Sequence, residues 1–203
     1  VADLIRARSD MEVITEKDYV KNIKESGYRS YHIIVQYKVE TVKVNMGTPI
    51  LLPKDVPVVS DKDKVVDEPI VIDDKEYRIT CVSMGNPHAI TFIENTDDLE
   101  IETIGPKFEN NPIFPDRVNT EFIQVLDRNT VKMRVWERGS GETFACGTGA
   151  CATVVACVLN GLTDDKVTVK LLGGDLFIEY NREENTVYMT GPAKVSFTGK
   201  IEV

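Results

Sequence analysis

The sequence has no apolar run near the roughly 20 residues that span a bilayer, and its opening VADLIRARSD lacks the apolar core of a secretory leader. A soluble, cytoplasmic protein without membrane attachment is expected. It also lacks a basic excess: 24 Lys and Arg face 33 Asp and Glu, for a net charge of −9. That argues against a general nucleic-acid binder, which needs a basic face to neutralise phosphates. Histidine is scarce, with only His32 and His88, and neither stands at zinc-type spacing from the four cysteines, Cys81, Cys146, Cys151 and Cys157. Reduced thiols and no metal site are the reading. What is present, 42% hydrophobic and 28% charged residues over 203 positions, is globular in balance and suits one ordinary domain or two small ones. A small polar ligand fits such a chain better than a polymer.

Along the chain, YHIIVQYKVETVKVNMG from Tyr31 reads as two successive strands ending at Gly47, and residues 48–70, with four prolines, read as an irregular connection. EYRITCVSM and HAITFIEN follow as strands around a Gly-Asn-Pro turn. DDLEIETIG reads as a short helix capped by Thr96 or Asp97 and stopped by Gly105 and Pro106. TEFIQVLD and VKMRVWERG form a hairpin across Arg128 and Asn129, and VTVKLL, LFIEYN, TVYMTG and AKVSFTG are further strands. Among them, ACATVVACVL at 150–159 is apolar at almost every position. A helix apolar on every face must be enclosed on every side. The expected fold is therefore α+β, an antiparallel sheet curled around one central buried helix.

The segment WERGSGETFACGTGACATVV places Cys146 before Gly147 and Gly149 at the start of that helix. Unpaired N–H groups and the positive end of the helix dipole favour an anion there, so Cys146 is expected to have a depressed pKa and to be a candidate nucleophile or base. The alternative is a small buried hydrophobe beside turn glycines. Cys151 and Cys157 lie within the apolar helix and read as packing residues. Glu137 and Arg138 precede the loop to Cys146 and could meet an ammonium group and a carboxylate. Asn86 and Asn119 could offer amide hydrogen bonds to a zwitterion, or be ordinary turn residues. His88 could equally cap a strand.

In this order, SMGNPHA, FPDRVNTEFIQVL, MRVWERGSGETFACGTGACATVVA and LLGGDL resemble the C-terminal lobe of the diaminopimelate epimerase family, over roughly residues 40–203. The resemblance implies a cofactor-independent isomerase of lysine biosynthesis that interconverts LL- and meso-diaminopimelate. Two cysteines would face the α-carbon, one removing a proton and the other delivering one. Cys146 matches the cysteine of the C-terminal lobe. Asn86, Asn119, Glu137 and Arg138 would bind the amino acid, Gly147 and Thr148 would hold its α-carboxylate at the helix N-terminus, and His88 would support the site. No metal or organic cofactor is implied, the partner is a small-molecule amino acid, and a homodimer is the expected assembly. The family's second catalytic cysteine sits in a Cys-Gly-Asn-Gly motif that does not occur in these 203 residues. A proline-type racemase relative is an alternative within the same class.

Residues 1–37 resemble a different family, the alarmone (p)ppGpp synthetases, through GYRSYH at Gly27–His32 with Lys17, Lys21 and Lys24 upstream. The acidic metal-binding positions of that family are not recognisable here. The implied organisation is an N-terminal segment over 1–42 and an epimerase-like lobe over 43–203, joined as a chimera. A non-catalytic folded module and a nucleotide-binding remnant are the competing functional readings.

Overall fold

A computed structural model describes residues 40–194. The expected strand over 31–39, most of AKVSFTG and the GYRSYH motif lie outside the described residues. The chain divides into two compact units, one of Val1–Val44 with Pro192–Val203 and one of Asn45–Gly191. In the first, the Ala193 N–H donates to the Glu40 carbonyl at 3.0 Å. Strand β1 (Thr41–Gly47) runs across the sequence boundary between them.

The second unit carries the elements that matter for function. Its strands are β2 (Glu68–Ile72), β3 (Lys75–Ser83), β4 (Pro87–Phe92), β5 (Asn119–Asp127), β6 (Thr130–Glu137), the two-residue β7 (Gly141–Glu142), β8 (Lys166–Leu171), β9 (Gly174–Asn181) and β10 (Thr186–Pro192). They pair in the order β10-β9-β8-β6-β5-β4-β3-β2, with β7 alongside β6. Six of these pairings are antiparallel, while β4 with β5 and β6 with β8 are parallel. The sheet is thus mostly antiparallel rather than wholly so. The parallel steps arise where a helix, α1 (Ile101–Glu109) or α2 (Gly147–Leu159), lies between two strands in sequence, because a parallel partner needs a crossover.

Helix α2 is the apolar segment read from the sequence, and every residue from Gly149 to Cys157 is buried. It packs against β3, β4 and β5 and also against β8 and β9. Strands that far apart in the sheet order can touch one helix only if the sheet curls around it. Val82, Ile90, Ile123, Val135, Val169 and Ile178 line the inner face. The opposite face of β2–β5 is covered by α1 and its neighbours, with Ile79, Cys81, Ala89 and Phe122 meeting Ile101 and Phe108. Burial on both faces explains why Ile79–Ser83 and Pro87–Thr91 are continuously buried instead of alternating.

Two local expectations change. The segment 48–70 is irregular as read, apart from a single 3-10 turn at Pro53–Asp55, and its last residues already belong to β2. Helix α1 begins after Glu100 without a side-chain cap and continues through Gly105 and Pro106 to Glu109. Gly105 does not stop the helix because it is a contact point: a Cβ there would overlap the Trp136 indole.

Candidate active site

The start of β4, the start of β5, the end of β6 and the N-terminus of α2 meet at one place. In the parallel β4–β5 register His88 lies beside Asn119, and β6 runs antiparallel so that its end, Glu137, returns to the same edge. Strand geometry alone therefore gathers Asn86, His88, Asn119, Glu137 and Arg138 from three distant stretches of sequence.

Cys146 is the N-cap of α2, in extended backbone conformation, and its sulfur accepts from the Gly149 N–H at 3.4 Å. The thiol thus stands where Ser, Thr or Asp is the common cap. Thr148 Oγ1 is 3.6 Å from the sulfur and also accepts from Asn86 Nδ2 at 3.2 Å. Asn86 Oδ1 lies 3.0 Å from His88 Nε2, and His88 Nδ1 lies 2.7 Å from Glu121 Oε1. One hydrogen-bonded chain therefore runs from Glu121 through His88, Asn86 and Thr148 to Cys146. Asn119, Glu137 and Arg138 form an adjoining group. Asn119 donates to the Pro87 carbonyl at 2.8 Å and accepts from the Arg138 N–H at 2.9 Å, while Thr143 donates to Glu137 Oε1 at 2.5 Å. The Arg138 guanidinium donates to the Asp116 carbonyl at 2.8 Å. Gly147 and Thr148 open α2, where helical N–H groups have no partner within the helix.

The acidity of Cys146 runs against the sequence expectation. Burial, then the Glu121 carboxylate, push the thiol up to about 11; the Thr148 hydroxyl and the Gly149 N–H pull it down by less, and Glu137 raises it further. The helix terminus acts as expected but is outweighed by desolvation and by a negative charge facing the sulfur. At neutral pH Cys146 is a thiol. Cys151 and Cys157, expected to be packing residues, are fully buried within α2, and burial raises each to about 12. Cys81 is likewise pushed up by burial and belongs to the core on the far side of the sheet.

Glu121 is the residue that sequence reasoning missed. It and His88 are both fully buried, at 0% exposure. Its Oε2 has no protein partner among the described residues. The available signal was the alternation of β5, in which Asn119, Glu121 and Ile123 share the face toward α2, so that a carboxylate sits in an otherwise inward row. Among the described residues, His88, Glu121 and Cys146 bring their potential ligand atoms within 4.8 Å of one another. Both ring nitrogens of His88 are already engaged in hydrogen bonds. The arrangement is that of a hydrogen-bonded relay, and no metal role is assigned to it.

The family model described as diaminopimelate epimerase matches residues 80–196. The diaminopimelate epimerase of Acetivibrio thermocellus is 54% identical over 191 residues, which is 94% of this chain and 68% of that protein. The Methanococcus maripaludis enzyme of the same name is 58% identical over 166 residues, 82% of this chain and 60% of its own length. This chain thus spans about two thirds of such relatives. A match over 94% of 203 residues also extends into the N-terminal segment. In fold, the chain is similar to a hydroxyproline epimerase from Agrobacterium vitis, with a TM-score of 0.54 and 14% identity over 75% of this chain and 50% of that one. A probable proline racemase from Agrobacterium radiobacter is similar at a TM-score of 0.50, with 11% identity over 78% of this chain and 54% of that one. No helix among the described residues is long and apolar enough to cross a membrane. With the family model covering more than half of the chain and relatives above 50% identity, the chain belongs to the diaminopimelate epimerase family, whose members are isomerases of lysine biosynthesis.

Proposed function

We propose that this chain supplies one thiol face of a cofactor-independent epimerase acting on the α-carbon of diaminopimelate, with residues 43–203 as the epimerase-like lobe. The observation that carries this reading is the Cys146 thiol at the N-cap of the buried helix, beside the Thr148 hydroxyl that Asn86 in turn holds. In the forward sense the Cys146 S–H delivers its proton to the α-carbon. In the reverse sense its thiolate takes the α-proton: an S–H bond forms, the C–H bond breaks and the electron pair moves into the carboxylate. N–H groups of Gly147 and Thr148 at the helix terminus stabilise that developing charge. Asn86, Asn119, Glu137 and Arg138 bind the polar groups of the amino acid, and His88 supports Asn86. The facing thiol would come from a Cys-Gly-Asn-Gly motif, which these 203 residues do not contain.

Exchange of the α-proton needs only one thiol, and it tests the reading on this chain alone. Incubated with LL-diaminopimelate in deuterated water, the chain should incorporate α-deuterium, read by mass spectrometry. Because the thiol is pushed up to about 11, the thiolate fraction at pH 8 is on the order of 10⁻³, and exchange should rise about tenfold per pH unit toward that value. Cys146→Ala should abolish it. Full exchange by the alanine variant would overturn the proposal, and a chain with no exchange at any pH would favour a non-catalytic module.

A further inference from the structure

Glu121 has no part in the proton transfer just described, yet it is a fully buried carboxylate with an oxygen that no described residue partners. Its surroundings make room for it. A Cβ on Gly149 would stand 2.5 Å from Glu121 Oε1 and 3.1 Å from the Cys146 sulfur, so the carboxylate occupies the space a side chain would take in the first turn of α2.

The hydrogen bonds place one proton on His88 Nε2 and one between Nδ1 and Glu121. Asn86 Nδ2 donates to Thr148, which leaves Asn86 Oδ1 facing His88 Nε2. An amide oxygen only accepts, so Nε2 carries a hydrogen. At 2.7 Å, Nδ1 and Glu121 Oε1 cannot both present lone pairs. Either Nδ1–H donates to the carboxylate or a carboxylic O–H donates to Nδ1. In both forms the pair is neutral overall and holds one proton between its members, as a completely buried pair requires to avoid an isolated charge.

We propose that Glu121 is a positioning residue: with His88 it forms a buried pair sharing one proton, and this pair orients Asn86 and Thr148 and sets the charge that faces the Cys146 sulfur. The inference rests on the functional reading of Cys146 given above. The titratable groups facing that sulfur are Glu121 from β5, Glu137 and His88 from β6 and β4, and Cys151 from α2 itself. Of these, Glu121 exerts the larger charge effect on Cys146.

The discriminating variant is Glu121→Gln, which keeps the shape and can still donate to Nδ1 but removes the carboxylate beside the sulfur together with the proton it shares with His88. The readout is alkylation of Cys146 by iodoacetamide as a function of pH, assigned to that residue by peptide mass spectrometry. At pH 8 the variant should react faster, with its midpoint moved to lower pH because the carboxylate that raises the thiol is gone, whereas Glu121→Asp should stay near the parent profile. A folded Glu121→Gln protein with the parent profile overturns the proposal. Should the variant fail to fold, ¹⁵N NMR of His88 in the parent protein decides: a protonated or strongly hydrogen-bonded Nδ1 supports it, and a bare Nδ1 refutes it. Alkylation does not require turnover. A parent chain without α-proton exchange but with the Glu121→Gln shift would therefore sink the functional reading and leave this inference standing.

Discussion

Gly149 controls how closely a buried carboxylate and a buried thiol can share the first turn of one helix. Replacing glycine by alanine inside a helix ordinarily gains about 1 kcal/mol. Here the added methyl would stand 2.5 Å from Glu121 Oε1 and 3.1 Å from Cys146 Sγ, and neither atom belongs to a flexible end that can swing into solvent, because both residues are buried. Overpacking of this kind costs about 1–3 kcal/mol or somewhat more, so the clash should outweigh the propensity. We expect Gly149→Ala to lower the unfolding free energy by a net of up to about 2 kcal/mol, read as a lower urea midpoint at unchanged m. An unchanged or raised midpoint would show that the carboxylate can move away, and with it that the relay is looser than its distances imply. The same residue scale explains why a depressed Cys146 pKa was the natural sequence reading. Helix position is local and legible, whereas a carboxylate 25 residues earlier in sequence reaches the thiol only through strand pairing.

At the scale of elements, what was legible is what depends on local pattern. The apolar run that becomes α2 identified itself because no surface helix can be apolar on all faces, and the Arg128-Asn129 hairpin and the strands of 166–191 follow their turn residues. What was not legible depends on a tertiary partner. Gly105 and Pro106 carry a stop signal, but the helix runs on through them, with the Trp136 indole packed against Gly105 and with Pro106 giving up its bond to the Glu102 carbonyl. The parallel pairings of β4 with β5 and of β6 with β8 were likewise invisible in strand periodicity, which is the same for either direction. The Gly105 contact offers a direct check. Gly105→Ala must push α1 away from β6, and a loss of about 1–3 kcal/mol is expected. Trp136 is the sole tryptophan, and its Nε1 donates to the buried carboxylate of Glu109 at 2.7 Å. Its emission should therefore shift to longer wavelength as the contact opens. A variant with parent stability and parent emission would refute the contact.

For the molecule as a whole, four reduced cysteines buried on both sides of one sheet make stability depend on alkaline pH. Each thiol is held by the fold above its ordinary value near 9: Cys146 at about 11, Cys151 and Cys157 at about 12, and Cys81 raised by the same desolvation. The sign follows from which state binds protons more tightly. Below pH 9 both folded and unfolded chains keep their thiols protonated, so the full stability is present. Above pH 9 the unfolded chain ionises first, and stability is lost as pH rises toward 11 or 12. By pH 11 each thiol removes about 2–3 kcal/mol. Four together approach the roughly 5–15 kcal/mol that a whole domain possesses. Circular dichroism should therefore show unfolding before pH 11. Other groups also titrate in that range, so the slope isolates the thiols better than the midpoint does. Cys157→Ala should be less stable at neutral pH, where it leaves a small cavity, yet lose stability more slowly per pH unit above pH 9, by about 1 kcal/mol. Parallel slopes for the parent and the variant would show that the Cys157 thiol is not held neutral by the fold.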